Sequence, residues 1–240
     1  MRTIGLLGGM SWESTAVYYR RINEQVRERL GGLHSAEVLM RSVDFDRIVA
    51  LQQSDAWDEA GAELAGLARN LETAGADCVL ICTNTMHKLA ETVQNAISVP
   101  LLHITDTTGQ AVQAAGHRRP LLLATRYTME QDFYLARLRD TFDLAPIVPN
   151  AADRALVHDV IFRELCCGQV HDASRRLYLE VIAKAQAAGA DSVILGCTEI
   201  GLLIAPQHID LPTFDSTFLH ADAAVAFALD QNDAARQNAA

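Results

Sequence analysis

The sequence lacks both a membrane-spanning apolar run and a signal peptide. A membrane-spanning helix needs about 18 or more consecutive apolar residues, and no apolar run in the 240 residues approaches that length. The N-terminus lacks the charged, apolar and small-residue order of a signal peptide, because Met1 leads almost directly into a strand-like run at residues 4–7. The sequence therefore predicts a cytoplasmic protein with no membrane partner.

Positive charge is also scarce. The chain has 20 lysine and arginine residues against 30 aspartate and glutamate residues, a formal net charge of -10. Because nucleic-acid binding needs a basic face to neutralise phosphates, we predict no nucleic-acid partner. An anionic ligand of this chain needs a local positive site that overcomes the overall field. Apolar residues make up 50% of the chain, which excludes a disordered protein and indicates a globular fold.

Cysteines are few and odd in number, which argues against a disulfide framework. The five are Cys78, Cys82, Cys166, Cys167 and Cys197. A zinc site is not predicted, because Cys78 and Cys82 followed by His87 do not have the spacing of a standard ligand set. The glycine-rich run at residues 5–9 does not match G-x-G-x-x-G, so a dinucleotide is not predicted either. We expect neither a metal nor a cofactor.

Short apolar runs alternate with longer amphipathic stretches, which is typical of an α/β fold with parallel sheets. The predicted strands are residues 4–7, 78–82, 120–124 and 192–196. Ser11 and Glu13 predict a helix that starts after the first strand, and Gly31-Gly32 predicts its end. Thr128 and Gln131 fit a capping box and predict the start of a helix in the second half.

An internal repeat indicates a duplicated architecture. Residues 74–83 (AGADCVLICT) resemble residues 188–197 (AGADSVILGC), and the second copy begins 114 positions after the first. The runs at 4–9 and 120–125 recur at nearly the same spacing. One such match could arise by chance from a common helix–turn–strand solution, but several elements recur in order.

We therefore predict two pseudo-symmetric α/β/α lobes with the active site between them. Ligands in such folds lie beyond the carboxyl ends of parallel strands. The predicted division is a first lobe at 1–113 completed by a helix at 216–230, a second lobe at 114–215, and a flexible tail at 231–240.

Thr83 and Cys197 occupy the same position of the repeat, directly after a strand. A helix N-terminus after each of them would offer unpaired N–H groups to a carboxylate and would lower the pKa of the Cys197 thiol. Racemisation next to a carboxylate needs two proton-transfer groups on opposite faces, and it needs no cofactor if the enolate-like intermediate is stabilised. A buried, inert thiol at Cys197 is the alternative interpretation.

Several short runs resemble the aspartate/glutamate racemase family, and most closely the enterobacterial-type L-aspartate/glutamate-specific racemases. The runs are GGMS at 8–11, SWES at 11–14, TNTMH at 83–87, RYTMEQDFY at 126–134 and GCTEI at 196–200. The resemblance covers nearly the whole chain, about residues 3–230. It implies cofactor-independent racemisation of acidic amino acids by one cysteine per half, in a homodimer.

The sequence departs from the family pattern at the first of these cysteines. Cys197 matches the second catalytic cysteine, but Thr83 stands where the first is usual, as it does in the closest subgroup. Cys82 is a poor substitute, because neighbouring side chains on a strand point to opposite faces. A threonine hydroxyl is rarely ionised, so we expect Thr83 to donate or relay a proton and Cys197 to abstract one.

The resemblance also implies roles for residues that alone suggest only capping or packing. The substrate-binding candidates are Met10, Gln52, Asn84, Thr85, Thr125 and Thr198. Thr125 is included because it follows a strand at the position equivalent to Gly9. Glu199 and His87 are expected to orient the loops. Arg41, Arg47 and Arg126 are candidates for binding a side-chain carboxylate.

Two alternatives to an acidic amino-acid racemase remain open at this point. One is a racemase or isomerase of the same superfamily with a broader or different substrate, such as a hydantoin or a maleate-type acid. The other is a catalytically silent binder of acidic amino acids that arose after the first cysteine gave way to Thr83.

Overall fold

The computed structural model describes residues 1–230. They form two compact units, each with its own parallel sheet and helices, so the α/β class predicted from the sequence is confirmed. Within residues 1–230, no helix is both long enough and apolar enough to span a membrane. The predicted flexible tail at 231–240 lies outside the described residues.

The first unit is built on a four-stranded parallel sheet of order β2-β1-β3-β4. Its strands are β1 (Ile4–Gly8), β2 (Val38–Ser42), β3 (Cys78–Ile81) and β4 (Leu101–Leu102). Its helices are α1 (Trp12–Leu30), α2 (Phe45–Gln53), α3 (Trp57–Thr73) and α4 (Ala90–Gln94). β1 and β3 are buried along their whole length, as their uninterrupted apolar sequence predicts for central parallel strands.

Helix α1 begins and ends where the sequence predicts. The Ser11 hydroxyl accepts a hydrogen bond from the N–H of Ser14 and caps the first turn. Gly31 follows the last turn with φ 75°, a conformation that glycine adopts without steric cost. Tyr18, Ile22 and Val26 are buried, and their four-residue spacing forms the apolar face of the helix.

The second unit is built on a three-stranded parallel sheet of order β5-β6-β7. Its strands are β5 (Pro120–Ala124), β6 (Ser192–Gly196) and β7 (Thr213–Asp215). Its helices are α5 (Ile104–Ala114), α6 (Arg126–Glu130), α7 (Asp132–Phe142), α8 (Ala151–Arg163), α9 (Asp172–Ala187) and α10 (Ile200–Leu203). A final helix, α11 (Ser216–Leu229), begins in this unit and ends in the first.

The sequence repeat is also a repeat of hydrogen bonding. In the first unit the N–H of Asp77 donates to Thr3 O (2.8 Å), and the Asp77 carboxylate accepts from the N–H of Thr3 (2.6 Å). In the second unit Asp191 makes the same pair of bonds with Arg119, at 3.1 Å and 2.9 Å. Each aspartate of the AGAD turn thus ties the start of one central strand to the residue that precedes its neighbour.

The two compact units do not divide the chain as the predicted lobes do. Of the described residues, the first comprises 1–82, 89–102 and 220–230, and the second comprises 83–88 and 103–219. The sequence prediction has its boundaries at 113/114 and 215/216. Helix α5 accounts for most of the difference, because it packs on α7 of the second unit.

Gly109 of α5 lies directly against Phe142 of α7. A Cβ atom at Gly109 would lie 2.4 Å from Cδ2 of Phe142. We expect Gly109→Ala to lower the free energy of unfolding by about 1–3 kcal/mol, as other overpacked cores are destabilised, in urea unfolding followed by circular dichroism. Gly66→Ala in α3 is the matched control, because a Cβ there lies no closer than 3.8 Å to another residue. The control should be neutral or slightly stabilising, and equal effects of the two changes would contradict the packing argument.

Candidate active site

Three loops that follow parallel strands come together within the second unit. Residues 83–88 follow β3 but belong to the second unit. Thr125 comes directly after β5, and Cys197 directly after β6. The carboxyl ends of parallel strands are the usual place for ligands in α/β folds.

Two of the predicted residues meet in a buried cluster of threonine hydroxyls. Oγ1 of Thr85 lies 2.9 Å from Oγ1 of Thr125 and 3.3 Å from Oγ1 of Thr128, and the last two are 3.2 Å apart. All three residues are buried. Because a hydroxyl can rotate and both donate and accept, such a cluster can turn its O–H groups toward an anion.

Thr128 was missed as a site residue, and the capping box predicted for it is wrong. Thr128 lies inside α6, and α7 begins after Gln131, whose side chain makes no capping bond. The i, i+3 spacing of Thr125 and Thr128 brings their hydroxyls to one side of the short helix. That spacing was the one signal in the sequence that could have identified Thr128.

His87 holds the main chain of the first loop. Its Nε2 accepts a hydrogen bond from the N–H of Ile104 (3.2 Å), so the ring proton of the neutral imidazole lies on Nδ1. Nδ1 therefore donates to the carbonyl oxygen of Thr83, at 2.8 Å. These two bonds connect the backbone of Thr83 to that of Ile104 through the His87 ring, and the orienting role of His87 stays a prediction.

Asn84 is connected to β6 through a residue that sequence reasoning missed. Its Nδ2 donates to Oγ of Ser216 (3.0 Å), and Ser216 Oγ donates to the carbonyl oxygen of Leu195 (2.8 Å). Asn84 and Ser216 are both buried, and Asn84 Oδ1 has no hydrogen-bond partner among the described residues. The sequence gives no signal for this contact, because 132 positions separate the two residues.

Cys197, Thr198 and Glu199 form a buried hydrogen-bonded group at the end of β6. One carboxylate oxygen, Oε2 of Glu199, accepts from Sγ of Cys197 at 2.9 Å and from Oγ1 of Thr198 at 2.6 Å. Glu199 is only 4% exposed and Cys197 only 9%. A carboxylate buried against a thiol is arranged to act as the base for that thiol.

The predicted lowering of the Cys197 pKa is wrong. Burial, and then the negative charge of Glu199, hold the pKa of the thiol well above its ordinary value. The helix that was expected to lower it, α10, has only four residues and begins at Ile200. Cys197 is therefore protonated in the resting protein, and its thiolate forms only after another group has accepted the thiol proton.

The remaining predicted residues are distributed over both units. Met10 and Gln52 belong to the first unit and are buried there, although Gln52 alone suggests a surface residue. Cys82 lies fully buried in the core of the first unit, and burial raises the pKa of its thiol. Among the arginine candidates, Arg41 and Arg126 are exposed, and Arg47 lies 3.1 Å from Glu63 in an ion pair.

Known proteins resemble this chain over nearly its whole length. The family model for Asp/Glu/Hydantoin racemases matches residues 7–224. A candidate Asp/Glu racemase from Yersinia pestis is 46% identical, with a TM-score of 0.90, over 96% of this chain and 100% of its own. An aspartate racemase homologue from Pyrococcus horikoshii is 30% identical, with a TM-score of 0.84, over the same shares. A broad specificity amino-acid racemase from Bacillus subtilis is 21% identical over 225 residues, 89% of this chain and 92% of its own.

The fold and these matches define the class of the protein, which is that of the racemases, a class of isomerases. The chain belongs to the Asp/Glu/hydantoin racemase family. The family resemblance drawn from the sequence motifs is thereby confirmed.

Proposed function

We propose that this chain racemises acidic amino acids, L-aspartate and L-glutamate, without pyridoxal phosphate or another cofactor. The observation that carries the proposal is the buried hydrogen bond of 2.9 Å between Sγ of Cys197 and Oε2 of Glu199. It pairs a nucleophile that can remove an α-proton with a base that can prepare it. The Cys197 thiol and the Thr198 hydroxyl both donate to Oε2 of Glu199, so the proton donors and their acceptor lie within residues 197–199.

The proton inventory of the proposed reaction balances with residues of this chain and water. The Glu199 carboxylate takes the proton of the Cys197 thiol, and the thiolate then takes the α-proton of the substrate. Thr83 delivers a proton to the opposite face of the α-carbon and recovers one from water, since a threonine alkoxide is too basic to persist. Release of the thiol proton from Glu199 returns the site to its starting state.

The substrate's charged groups fit the polar atoms of the same loops. The threonine hydroxyls at 85, 125 and 128 can donate to a carboxylate and to the enolate-like oxygen that develops during proton removal. Oδ1 of Asn84 is a buried acceptor without a partner among residues 1–230, so it can accept from the substrate ammonium. Thr198, also of the second unit, completes this set, and the substrate contacts of Met10 and Gln52 stay predictions of the sequence.

A broader or different substrate is the second candidate function. It is favoured by the likeness to a broad specificity amino-acid racemase and by a family that includes hydantoin racemases. A silent binder of acidic amino acids is the third, favoured by Thr83, because a hydroxyl is a far weaker acid than a thiol.

Proton NMR in D2O tests the proposal directly. Purified protein is incubated with L-aspartate or L-glutamate, with no pyridoxal phosphate added, and the α-proton signal is followed beside chiral analysis of the product. We expect the α-proton to disappear while the D-isomer accumulates toward an equal mixture, because the equilibrium constant of racemisation is one.

The other outcomes separate the alternatives. Binding of aspartate or glutamate without α-proton exchange would indicate the silent binder. Exchange only with neutral amino acids or hydantoins would indicate the second candidate function. The homodimer and the cytoplasmic location stay predictions of the sequence.

A further inference from the structure

We propose that Ser216 makes the site selective for an α-ammonium group by fixing the orientation of the Asn84 side-chain amide. The inference rests on the proposed function, because it assumes that amino acids bind at the loop of residues 83–88. Ser216 is the first residue of α11, directly after β7, and it is a positioning residue because it acts on the substrate only through Asn84.

The direction of each hydrogen bond follows from the atoms present. The Leu195 carbonyl oxygen can only accept, so the single hydroxyl proton of Ser216 is donated to it, at 2.8 Å. Ser216 Oγ is then left with lone pairs toward Asn84, 3.0 Å away. The Asn84 amide must therefore present Nδ2 to Ser216, since its oxygen there would face another acceptor.

Burial makes this orientation firm. Ser216 is 0% exposed and Asn84 3% exposed, so water is not at hand to satisfy a reversed amide. An unmatched polar contact in such surroundings costs far more than the same contact in solvent. The serine hydroxyl therefore determines that Nδ2, and not Oδ1, of the Asn84 amide bonds to Ser216.

In the proposed site, a ligand meets the other end of the amide. With Nδ2 committed, Oδ1 is left as a buried acceptor that has no partner among the described residues. It is satisfied by a donor such as an α-ammonium group and is repelled by an acceptor such as the keto oxygen of a 2-oxo acid. Ser216 thus selects amino acids over 2-oxo acids of the same length.

Three five-carbon diacids test this selectivity by isothermal titration calorimetry. L-Glutamate carries a hydrogen-bond donor at the α-carbon, 2-oxoglutarate carries an acceptor there, and glutarate carries neither. The affinity for glutarate therefore serves as the reference for binding of the two carboxylates alone. In Ser216→Ala the amide is free to turn. We expect the affinity for glutamate relative to glutarate to fall about tenfold, while that for 2-oxoglutarate relative to glutarate stays or rises.

Neighbouring variants separate this role from a merely structural one. Ser216→Thr keeps the hydroxyl and should keep the wild-type ratios. Thr217→Val is the matched control, because Thr217 is adjacent, equally buried and has an Oγ1 without a partner among residues 1–230. It should leave the ratios unchanged, as should any change that only lowers thermal stability.

The outcomes also separate this inference from the proposed function. If Ser216→Ala weakens all three diacids equally, or none, the orientation argument is wrong even where racemisation is intact. A wild-type protein with no preference for glutamate over glutarate would overturn it as well. If the selectivity follows Ser216 but no amino acid is racemised, the inference stands and the proposed function fails.

Discussion

Replacing Cys197 with alanine is expected to abolish both α-proton exchange and racemisation of L-aspartate and L-glutamate. The proposed reaction has no other group that can remove the α-proton on that face, and a positioned acid–base group contributes about 10²–10⁴-fold to a rate. We expect a loss of at least about 10³-fold, measured by proton NMR in D2O.

Thr83→Ala should give a different result, because it removes only the second proton-transfer group. One enantiomer should still exchange its α-proton by means of Cys197, but with retention, and the opposite isomer should not accumulate. Both enantiomers need to be tested, since Cys197 faces the α-proton of only one of them. Thr83→Cys should restore inversion, because a thiol is a better acid than a hydroxyl.

A matched control for these variants is Cys82→Ala. Cys82 directly precedes Thr83 but lies in the core of the first unit with Ile4, Leu6 and Tyr18. It should lower stability and leave the ratio of exchange to inversion unchanged. Activity retained by Cys197→Ala, or lost in the same way by Cys82→Ala, would contradict the assignment of the two groups.

Glu199→Gln is expected to move thiol reactivity and catalysis in opposite directions. The Glu199 charge is one of the causes that hold the Cys197 pKa above its ordinary value, so its removal should lower that pKa. Alkylation of Cys197 by iodoacetamide should then reach half its maximal rate at a lower pH. Racemisation should fall by about 10²-fold or more, because glutamine cannot take the thiol proton.

The two readouts together exclude a purely structural role for Glu199. A variant that has merely loosened the loop would expose Cys197, which would raise the maximal alkylation rate as well as lower the midpoint, because burial is the first cause of the raised pKa. Glu199→Gln should instead shift the midpoint while the maximal rate at high pH stays unchanged. Cys197→Ala provides the blank for alkylation, since exposed Cys167 also reacts. An unchanged pH profile with unchanged racemisation would show that Glu199 does not share the thiol proton.

Much of the fold could be predicted from the sequence, because it depends on local patterns. The buried runs at β1 and β3 and the cap at Ser11 are each encoded within a few residues. The repeat at 74–83 and 188–197 supports the strand predictions at both places, because the same pattern occurs twice in the chain. The assignment of α5 to the second unit could not be predicted, because its periodicity shows an apolar face but not the partner that covers it.

Some residues of the candidate site could also be predicted from the sequence, and others could not. Thr83, Thr125 and Cys197 could be proposed because each directly follows a predicted strand. Ser216 could not, because its role depends on a contact between residues 132 positions apart. The direction of the Cys197 pKa shift could not be predicted, because the sequence shows neither how deeply the thiol is buried nor that the Glu199 side chain turns back onto the sulfur.

The contact between Cys197 and Glu199 has a consequence for oxidative damage. Peroxide attacks the thiolate, and the resulting sulfenic acid proceeds irreversibly to higher oxides when it is not rescued. A thiol that is buried and held in its protonated form reacts slowly with such oxidants. Burial and the Glu199 charge, which keep Cys197 protonated until Glu199 takes its proton during turnover, are therefore expected to protect the sulfur from peroxide in the resting protein.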